Sequence, residues 1–153
     1  MNQVLVSQQD DSVNFVTDVG PKQALEARYV RRNRDYFICY VSVQTACRLG
    51  CRMCHLTATK QMVGRDATME EIYQQADTVL GYYKRQVTAD IVNFNFMARG
   101  EPFDSRVFTN NADFTLNTLA AKATALDLVP DFNISTIMPR DIVPKRLWKT
   151  FRT

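Results

Sequence analysis

The sequence predicts an α/β fold with parallel strands, because strand-like and helix-like segments alternate along most of the chain. After short N-terminal strands the order is strand, helix, strand, helix, strand and a final basic segment. This alternation is typical of parallel sheets whose strands are joined by helical crossovers. The 153 residues, 46% of them hydrophobic, suffice for one domain with its own core.

Residues 1–35 predict an N-terminal β-hairpin extension. The strand-like runs VNFVTDV and ALEARYV are followed by the polar turn RRNRD. The longer run YFICYVSVQ then opens residues 36–153, which we interpret as the core domain. In this run Phe37, Cys39 and Val41 are apolar, whereas the alternate positions are more polar. Because the side chains of a strand alternate between its faces, one face is predicted to be buried and the other can line a site.

Two helices and two further strands follow. Thr68 and Glu71 have the spacing of a capping box, which predicts a helix through about Arg85. The strand in DIVNFNFMARGEP closes on a Gly-Glu-Pro turn, a helix is predicted over 111–126, and DFNISTIMP predicts the last strand. A basic segment with helical potential begins at Asp141.

The carboxyl ends of the predicted parallel strands should form a binding site, because ligands of α/β proteins bind at this edge of the sheet. Three segments fall at predicted strand ends: the cysteine-rich loop CRLGCRMC, the turn Gly100-Glu101-Pro102 and the pair Ser135-Thr136. We therefore expect these three segments to converge in space.

Cys47, Cys51 and Cys54 form the run C-x-x-x-C-x-x-C, which in a cytosolic protein indicates a metal centre rather than disulfides. A structural zinc site would need a fourth ligand, and the candidates are His55 and Cys39. Neither fits well, because His55 is adjacent to Cys54 and Cys39 lies on the apolar strand face, where a small buried hydrophobic residue is expected. An iron-sulfur cluster held by three thiolates leaves one iron open for another ligand.

The cysteine run, placed after the first core strand, resembles the signature of the radical S-adenosylmethionine (radical-SAM) superfamily. Together with ALEARYV, YFICYVSVQ, FMARGEP and NISTIMP, it resembles the dual-specificity adenine C2 methyltransferases of rRNA and tRNA. The resemblance covers about residues 22–139. It implies a partial (βα) barrel of the radical-SAM type, in a short or truncated member of the family.

The resemblance also implies a cofactor set. Cys47, Cys51 and Cys54 would hold a 4Fe-4S cluster that binds S-adenosylmethionine and cleaves it reductively. Reductive cleavage implies an electron donor such as a flavodoxin or ferredoxin, and the family's reaction implies rRNA or tRNA as substrate. A separate chain that completes the barrel is a further partner that the short length allows.

Five residues would surround S-adenosylmethionine if the resemblance holds. Gly100 and Glu101 would contact the amino group of its methionine moiety, since a carboxylate is a strong acceptor for an ammonium group. Ser135 and Thr136 would lie near the ribose. Met53 stands where superfamily members carry an aromatic residue that covers the adenine.

The chain departs from the family pattern at three points. Tyr40 stands where the methyltransferases carry a catalytic cysteine, and no cysteine follows Cys54 to carry the methyl group. Arg99 precedes the Gly-Glu-Pro turn, which places a cation there that either binds an anion or points to solvent. The catalytic residues therefore stay unassigned. Two alternatives remain open: a radical-SAM enzyme for another small molecule or a peptide, and a non-catalytic iron-sulfur module.

The charge distribution permits an RNA partner without requiring one. The formal charge is +3, and basic residues cluster over 28–34 and again over 140–152. The alternative interpretation is a solvated strand edge and an amphipathic terminal helix. No run approaches the ~20 apolar residues of a membrane span, and the N-terminus lacks the features of a signal peptide, so we expect a cytoplasmic protein without a membrane partner.

Overall fold

The computed structural model describes residues 2–84 and 88–139, which form a six-stranded sheet with helices packed on it. The strands follow one another across the sheet in chain order. The first three neighbouring pairs are antiparallel and the last two are parallel. The elements are β1 (Asn2–Val6), β2 (Val13–Gly20), β3 (Gln23–Arg31), β4 (Tyr36–Tyr40), α1 (His55–Ala58), α2 (Met69–Tyr83), β5 (Ile91–Asn95), α3 (Arg106–Asn110), α4 (Ala112–Thr124) and β6 (Val129–Asn133).

The antiparallel part of the sheet is a three-stranded meander, one strand longer than the predicted hairpin. β2 and β3 confirm the two predicted N-terminal strands. β1 escaped prediction because all of its residues are exposed, so that no alternation of buried and exposed positions marks it. Residue 35 lies in the turn between β3 and β4, and the segments on either side of it therefore share one continuous sheet.

The parallel part consists of β4, β5 and β6, which are joined by α2 and by the pair α3 and α4. The helix predicted over 111–126 is confirmed as α4, and the short helix α3 directly before it was not predicted. The last strand ends at Asn133, earlier than predicted. Arg85 and the basic segment from Asp141 lie outside the described residues. Within the described part of the chain, no helix is long and apolar enough to cross a membrane.

The core lies between one face of the sheet and the helices α2 and α4. Phe37, Cys39 and Val41 are fully buried on this face, as their alternation predicts. The ring of Phe37 stacks on Tyr83 of α2 with the centroids 4.4 Å apart. The alternate side chains of β4, including Tyr40, are half-buried on the opposite face. Helices α2 and α4 therefore cover the apolar face of the sheet, and the more polar face of β4 is the one that can contact a ligand.

The start of α2 is fixed by the predicted capping box. The Thr68 hydroxyl oxygen accepts from the Glu71 backbone N–H at 3.1 Å, and the Glu71 carboxylate accepts from the Thr68 N–H at 2.8 Å. The Arg65 guanidinium donates to both carboxylate oxygens of Glu71 at 2.7 Å. These hydrogen bonds, that from Arg65 foremost, lower the pKa of Glu71 from 4.5 to about 2.

We expect Thr68→Ala to lower the free energy of unfolding by about 1 kcal/mol, because the helix loses its N-cap acceptor. Thr78→Ala is the matched control, since Thr78 lies inside the same helix and is exposed. Alanine is the better helix former there, so this control should be neutral or slightly stabilising. Urea denaturation measures both, and equal losses in the two variants would contradict the capping role.

The lowered pKa of Glu71 predicts a pH-dependent contribution to stability. The ionised carboxylate stabilises the fold fully above about pH 4.5, and this contribution is lost as the pH falls through about 2. We therefore expect Glu71→Gln to be less stable than the wild type at pH 6, with the difference shrinking between pH 4.5 and 2. Glu70→Gln serves as control, because Glu70 forms no ion pair within the described residues. Thermal unfolding at each pH measures the difference, and a constant gap would refute the assignment.

Candidate cofactor site at the carboxyl ends of the parallel strands

The three predicted site segments emerge from one edge of the sheet. The parallel register places Tyr40, Asn95 and Asn133 side by side at the ends of β4, β5 and β6. The cysteine loop follows the first of these strands, the Gly-Glu-Pro turn follows the second, and the Ser-Thr pair follows the third. The expected convergence is confirmed.

Between β4 and the cysteine loop, side chains form hydrogen bonds with the backbone like those between paired strands. The Ser42 hydroxyl donates to the Glu26 carbonyl and accepts from the Glu26 N–H, both at 2.8 Å. The side-chain amide of Gln75 on α2 accepts from the Ser42 N–H at 2.7 Å and donates to its carbonyl at 3.1 Å. Because Ser42 and Gln75 are buried, these bonds fix the path of the backbone into the loop.

The cysteine loop is a lobe closed at its base by backbone hydrogen bonds. The Cys47 N–H donates to the Gln61 carbonyl at 3.2 Å, and the Thr45 N–H donates to the Arg65 carbonyl at 2.9 Å. Leu56, which is 3% exposed, anchors the lobe. Between Cys47 and Cys51 the backbone turns at Gly50, whose φ is +63°. Glycine adopts this conformation without strain.

The three thiols of the loop are free and half-buried. Burial raises the pKa of the Cys47 thiol, the backbone N–H of Leu49 opposes this, and the nearby Cys51 and Cys54 raise it further. The Cys47 thiol therefore lies within electrostatic reach of the other two cysteines. Within the described residues, however, no three side chains of the His, Cys, Asp or Glu type are gathered closely enough to hold a metal ion.

The two candidate fourth ligands of a zinc site lie elsewhere. Cys39 is fully buried among the core side chains, and burial raises the pKa of its thiol far above the ordinary range. The prediction of a small buried hydrophobic residue is confirmed. His55 is exposed at the first position of α1.

The Gly100-Glu101 turn packs directly against Gln44. A Cβ atom on Gly100 would lie 2.6 Å from the Cβ of Gln44, and the backbone there has φ of +92°, so only glycine fits. The Gln44 side-chain oxygen accepts from the Glu101 N–H at 3.1 Å, and its nitrogen donates to Asp66 at 3.0 Å. Gln44 thereby joins the first strand end to the second, a contact that the sequence reasoning missed.

Glu101 joins the second strand end to the third. Its carboxylate accepts a short hydrogen bond from the Thr136 hydroxyl and bonds of 3.1 Å from the N–H groups of Phe103 and Ile137. The residue is 5% exposed, and within the described residues no cation pairs with it. Ser135, the other predicted residue of this strand end, is half-buried.

Arg99 is buried, so the alternative that it points to solvent is wrong, and the anion that it binds is a carboxylate of the chain itself. It is 4% exposed and forms an ion pair with Glu26 of β3 at 2.8 Å. The guanidinium also donates to the carbonyls of Thr45 at 2.9 Å and Ala24 at 3.3 Å, and to the side chain of Gln61. It ties the meander, the end of β4 and the base of the cysteine loop to the turn after β5.

Met53 is more exposed than the other predicted cofactor residues. Its side chain is 85% exposed, whereas Glu101 is buried and Thr136 is half-buried. The predicted role of Met53 over an adenine therefore stays a prediction.

The sequence of the chain is similar to RNA methyltransferases. Two curated relatives both carry the name "Probable dual-specificity RNA methyltransferase RlmN". The relative from Pelotomaculum thermopropionicum (strain DSM 13744 / JCM 10971 / SI) is 32% identical over 100 residues, which are 65% of this chain and 25% of the relative. The relative from Clostridium botulinum (strain Loch Maree / Type A3) is 29% identical over 110 residues, which are 72% of this chain and 30% of the relative. The chain thus matches less than a third of either relative. No protein-family model and no solved structure matches it.

We expect Arg99→Met to lower the free energy of unfolding by about 3–5 kcal/mol, because it leaves a partly buried carboxylate without its cation. The double variant Arg99→Met/Glu26→Gln should recover part of this loss, since the orphaned charge is then removed. Arg106→Met is the control for losing an arginine at an exposed position, and we expect a change within about 0.5 kcal/mol. Urea denaturation measures all three. If the effects of the two substitutions on the free energy of unfolding simply add, the ion pair contributes nothing to stability.

Proposed function

We propose that the chain is a radical-SAM module of the RNA methyltransferase type, folded as part of a (βα) barrel. Cys47, Cys51 and Cys54 hold a 4Fe-4S cluster in this proposal, and Glu101 binds S-adenosylmethionine. The observation that carries the proposal is the buried Glu101 carboxylate, which has no cationic partner among the described residues and lies at the same sheet edge as the cysteine loop. The similarity to two relatives named as RNA methyltransferases supports it independently.

The loop has the residue types of a cluster held by three thiolates, although in this structure the described residues do not gather three such side chains closely enough to hold a metal ion. The three thiols are free and share one loop. Burial and the neighbouring thiols raise the pKa of Cys47, so a cationic iron centre is needed to favour the thiolate form. Cys39 is not among the proposed ligands, because it is buried in the core.

The Glu101 carboxylate can accept one further hydrogen bond. A carboxylate offers about four acceptor positions, and the hydroxyl of Thr136 and two backbone N–H groups occupy three of them. The amino group of a methionine moiety is an ammonium ion that suits the remaining position, and burial strengthens that charge-assisted bond. Gly100 supports this arrangement by letting Gln44 pack against the turn, where a Cβ atom would clash with the Gln44 side chain. Ser135 and Met53 keep their proposed places near the ribose and the adenine.

A cluster held by Cys47, Cys51 and Cys54 would supply the electron for the reductive cleavage of S-adenosylmethionine. The residues of this chain orient the cofactor: Glu101 fixes its amino group, and Gln44 with Arg99 holds the turn that carries Glu101. A flavodoxin or ferredoxin is the proposed electron donor. The cytoplasm is the proposed compartment, and a separate chain is a proposed means of completing the barrel.

Adenine C2 of rRNA or tRNA is the proposed site of methylation, by extension from the names of the relatives. Arg32 and Arg34 at the β3–β4 turn are exposed and available to phosphates. Arg31 of the same cluster instead donates to the carbonyls of its own turn and of Thr88, so its role there is structural. The second basic cluster, over 140–152, lies outside the described residues.

A different substrate for the same radical chemistry is favoured by the residues on the helix-free face. Tyr40 occupies the position of the family's catalytic cysteine, and Asn95 lies beside it in register. The side-chain oxygen of Asn95 is buried and accepts no hydrogen bond within the described residues. Such an acceptor suits a donor group of a small molecule or peptide. A non-catalytic iron-sulfur module is the further alternative.

The proposal is tested by anaerobic reconstitution of the full chain with iron and sulfide. We expect about four irons per chain and release of 5′-deoxyadenosine on reduction with S-adenosylmethionine, both lost in Cys51→Ala. Cys39→Ala is the matched control, because it removes the buried cysteine and should keep the iron content.

Three other outcomes would redirect the assignment. Bound zinc without cleavage would refute the radical-SAM proposal. Bound iron without cleavage would favour the non-catalytic module. Cleavage that RNA does not stimulate, and that leaves the RNA unmethylated, would favour a small molecule or a peptide as the substrate.

A further inference from the structure

The strand β1 forms one edge of the sheet and lacks the features that usually protect such an edge. In the described part of the chain it pairs with β2 alone. All of its residues are exposed, and Val4, Leu5 and Val6 are each more than half exposed. Residues 2–9 contain no proline and no charged residue, which are the common means of blocking an edge strand. The outer side of β1 is therefore open to pairing with another strand.

The register of β1 with β2 determines which backbone groups β1 offers on its outer side. The Ser7 N–H donates to the Ser12 carbonyl at 2.9 Å, one step beyond the last residue pair of the ladder. Successive residues of an antiparallel strand direct their N–H and C=O groups to opposite sides. Those of Leu5 therefore point towards β2, whereas those of Val4 and Val6 point away from it.

The sequence around β1 has the same order of polar and apolar residues in both directions. Leu5 is flanked by Val4 and Val6, and these in turn by the polar residues Gln3 and Ser7. Two copies of this strand, antiparallel and related by a two-fold axis at Leu5, place valine opposite valine and a polar residue opposite a polar one. No like charges meet, because residues 2–9 are uncharged. The strand is thus complementary to itself.

We propose that β1 pairs with β1 of a second copy of the chain in an antiparallel dimer centred on Leu5. The outward backbone groups of Val4 meet those of Val6 in the second copy, and each such pair exchanges both N–H···O=C bonds. Leu5 meets its own copy in a non-hydrogen-bonded pair, in which the Cα atoms are about 4.5 Å apart. The two sheets continue into each other across this interface.

A groove beside β1 adds apolar contact to the backbone pairing. A cavity of about 350 Å³ between β1 and α2 is lined by Val4, Phe15 and Gln74 among others. Val4 lies on the helix-covered face of the sheet, because it is in register with Phe15, whose ring centroid is 5.7 Å from that of Tyr82 on α2. In the dimer, Val6 of the second copy lies opposite Val4 on this face. Pairing therefore covers apolar surface that a single chain exposes.

Other occupants suit this edge less well than a second copy. A nucleic acid requires cations for its phosphates, and a charged peptide requires opposite charges, but residues 2–9 provide neither. A neutral extended segment of an unrelated protein would leave this chain monomeric when it is alone in solution. The oligomeric state of the purified chain therefore distinguishes these occupants.

The test is sedimentation equilibrium of the full chain at concentrations up to about 1 mM, where a dimer with a Kd of that order is still populated. We expect the wild type to pass from monomer to dimer without larger species, since a two-fold interface is closed. Leu5→Lys and Leu5→Glu should each raise the dimer Kd about tenfold or more, because like charges then lie opposite each other. An equimolar mixture of the two variants should dimerise, because a cation then faces a carboxylate.

Phe114→Lys is the matched control, because it replaces an exposed apolar residue of α4 with the same charge. It should dimerise like the wild type. Val4→Pro removes an outward N–H and leaves the β1–β2 hydrogen bonds in place, so it should weaken the dimer and keep the unfolding midpoint. The proposal is overturned if the wild type stays monomeric, if Leu5→Lys dimerises like Phe114→Lys, or if the mixed Leu5 variants do not pair. Unfolding midpoints equal to that of the wild type show that the variants fold.

Discussion

The buried guanidinium of Arg99 is the interaction on which the candidate site depends most. It is one side chain, yet it contacts the meander through Glu26, the end of the first parallel strand through Thr45 and the base of the cysteine loop through Gln61. Its own carbonyl accepts from the N–H groups of Val43 and Gln44. A buried cation must find partners on every side, and here the partners are the segments that have to be held together.

The meander is therefore part of the site rather than an appendage. Ser42 pairs with the backbone of Glu26 at the point where β4 leaves the sheet, and the carboxylate of Glu26 holds Arg99. The strand that the sequence assigns to an N-terminal extension thus supports the turn that carries Glu101. This arrangement holds three loop segments in place at the edge formed by the three parallel strands of the described residues.

The local elements were predictable because short-range rules determine them. The alternation of Phe37, Cys39 and Val41 marks a buried strand face, and the spacing of Thr68 and Glu71 marks the start of a helix. The predictions omitted two elements: α3, which is only five residues long, and β1, whose residues are all exposed and show no buried pattern. Short or fully exposed elements carry little periodic signal in the sequence.

The sequence by itself predicted which residues could carry the chemistry: three cysteines in one loop and a Gly-Glu pair in a later turn. The tertiary structure alone decided how they are held. It buried Glu101 with no cation paired to it among the described residues, turned Arg99 inward and left Met53 exposed to solvent. Residue spacing encodes ligand type and local turns, whereas hydrogen bonds between residues far apart in the chain depend on the packing of the whole sheet.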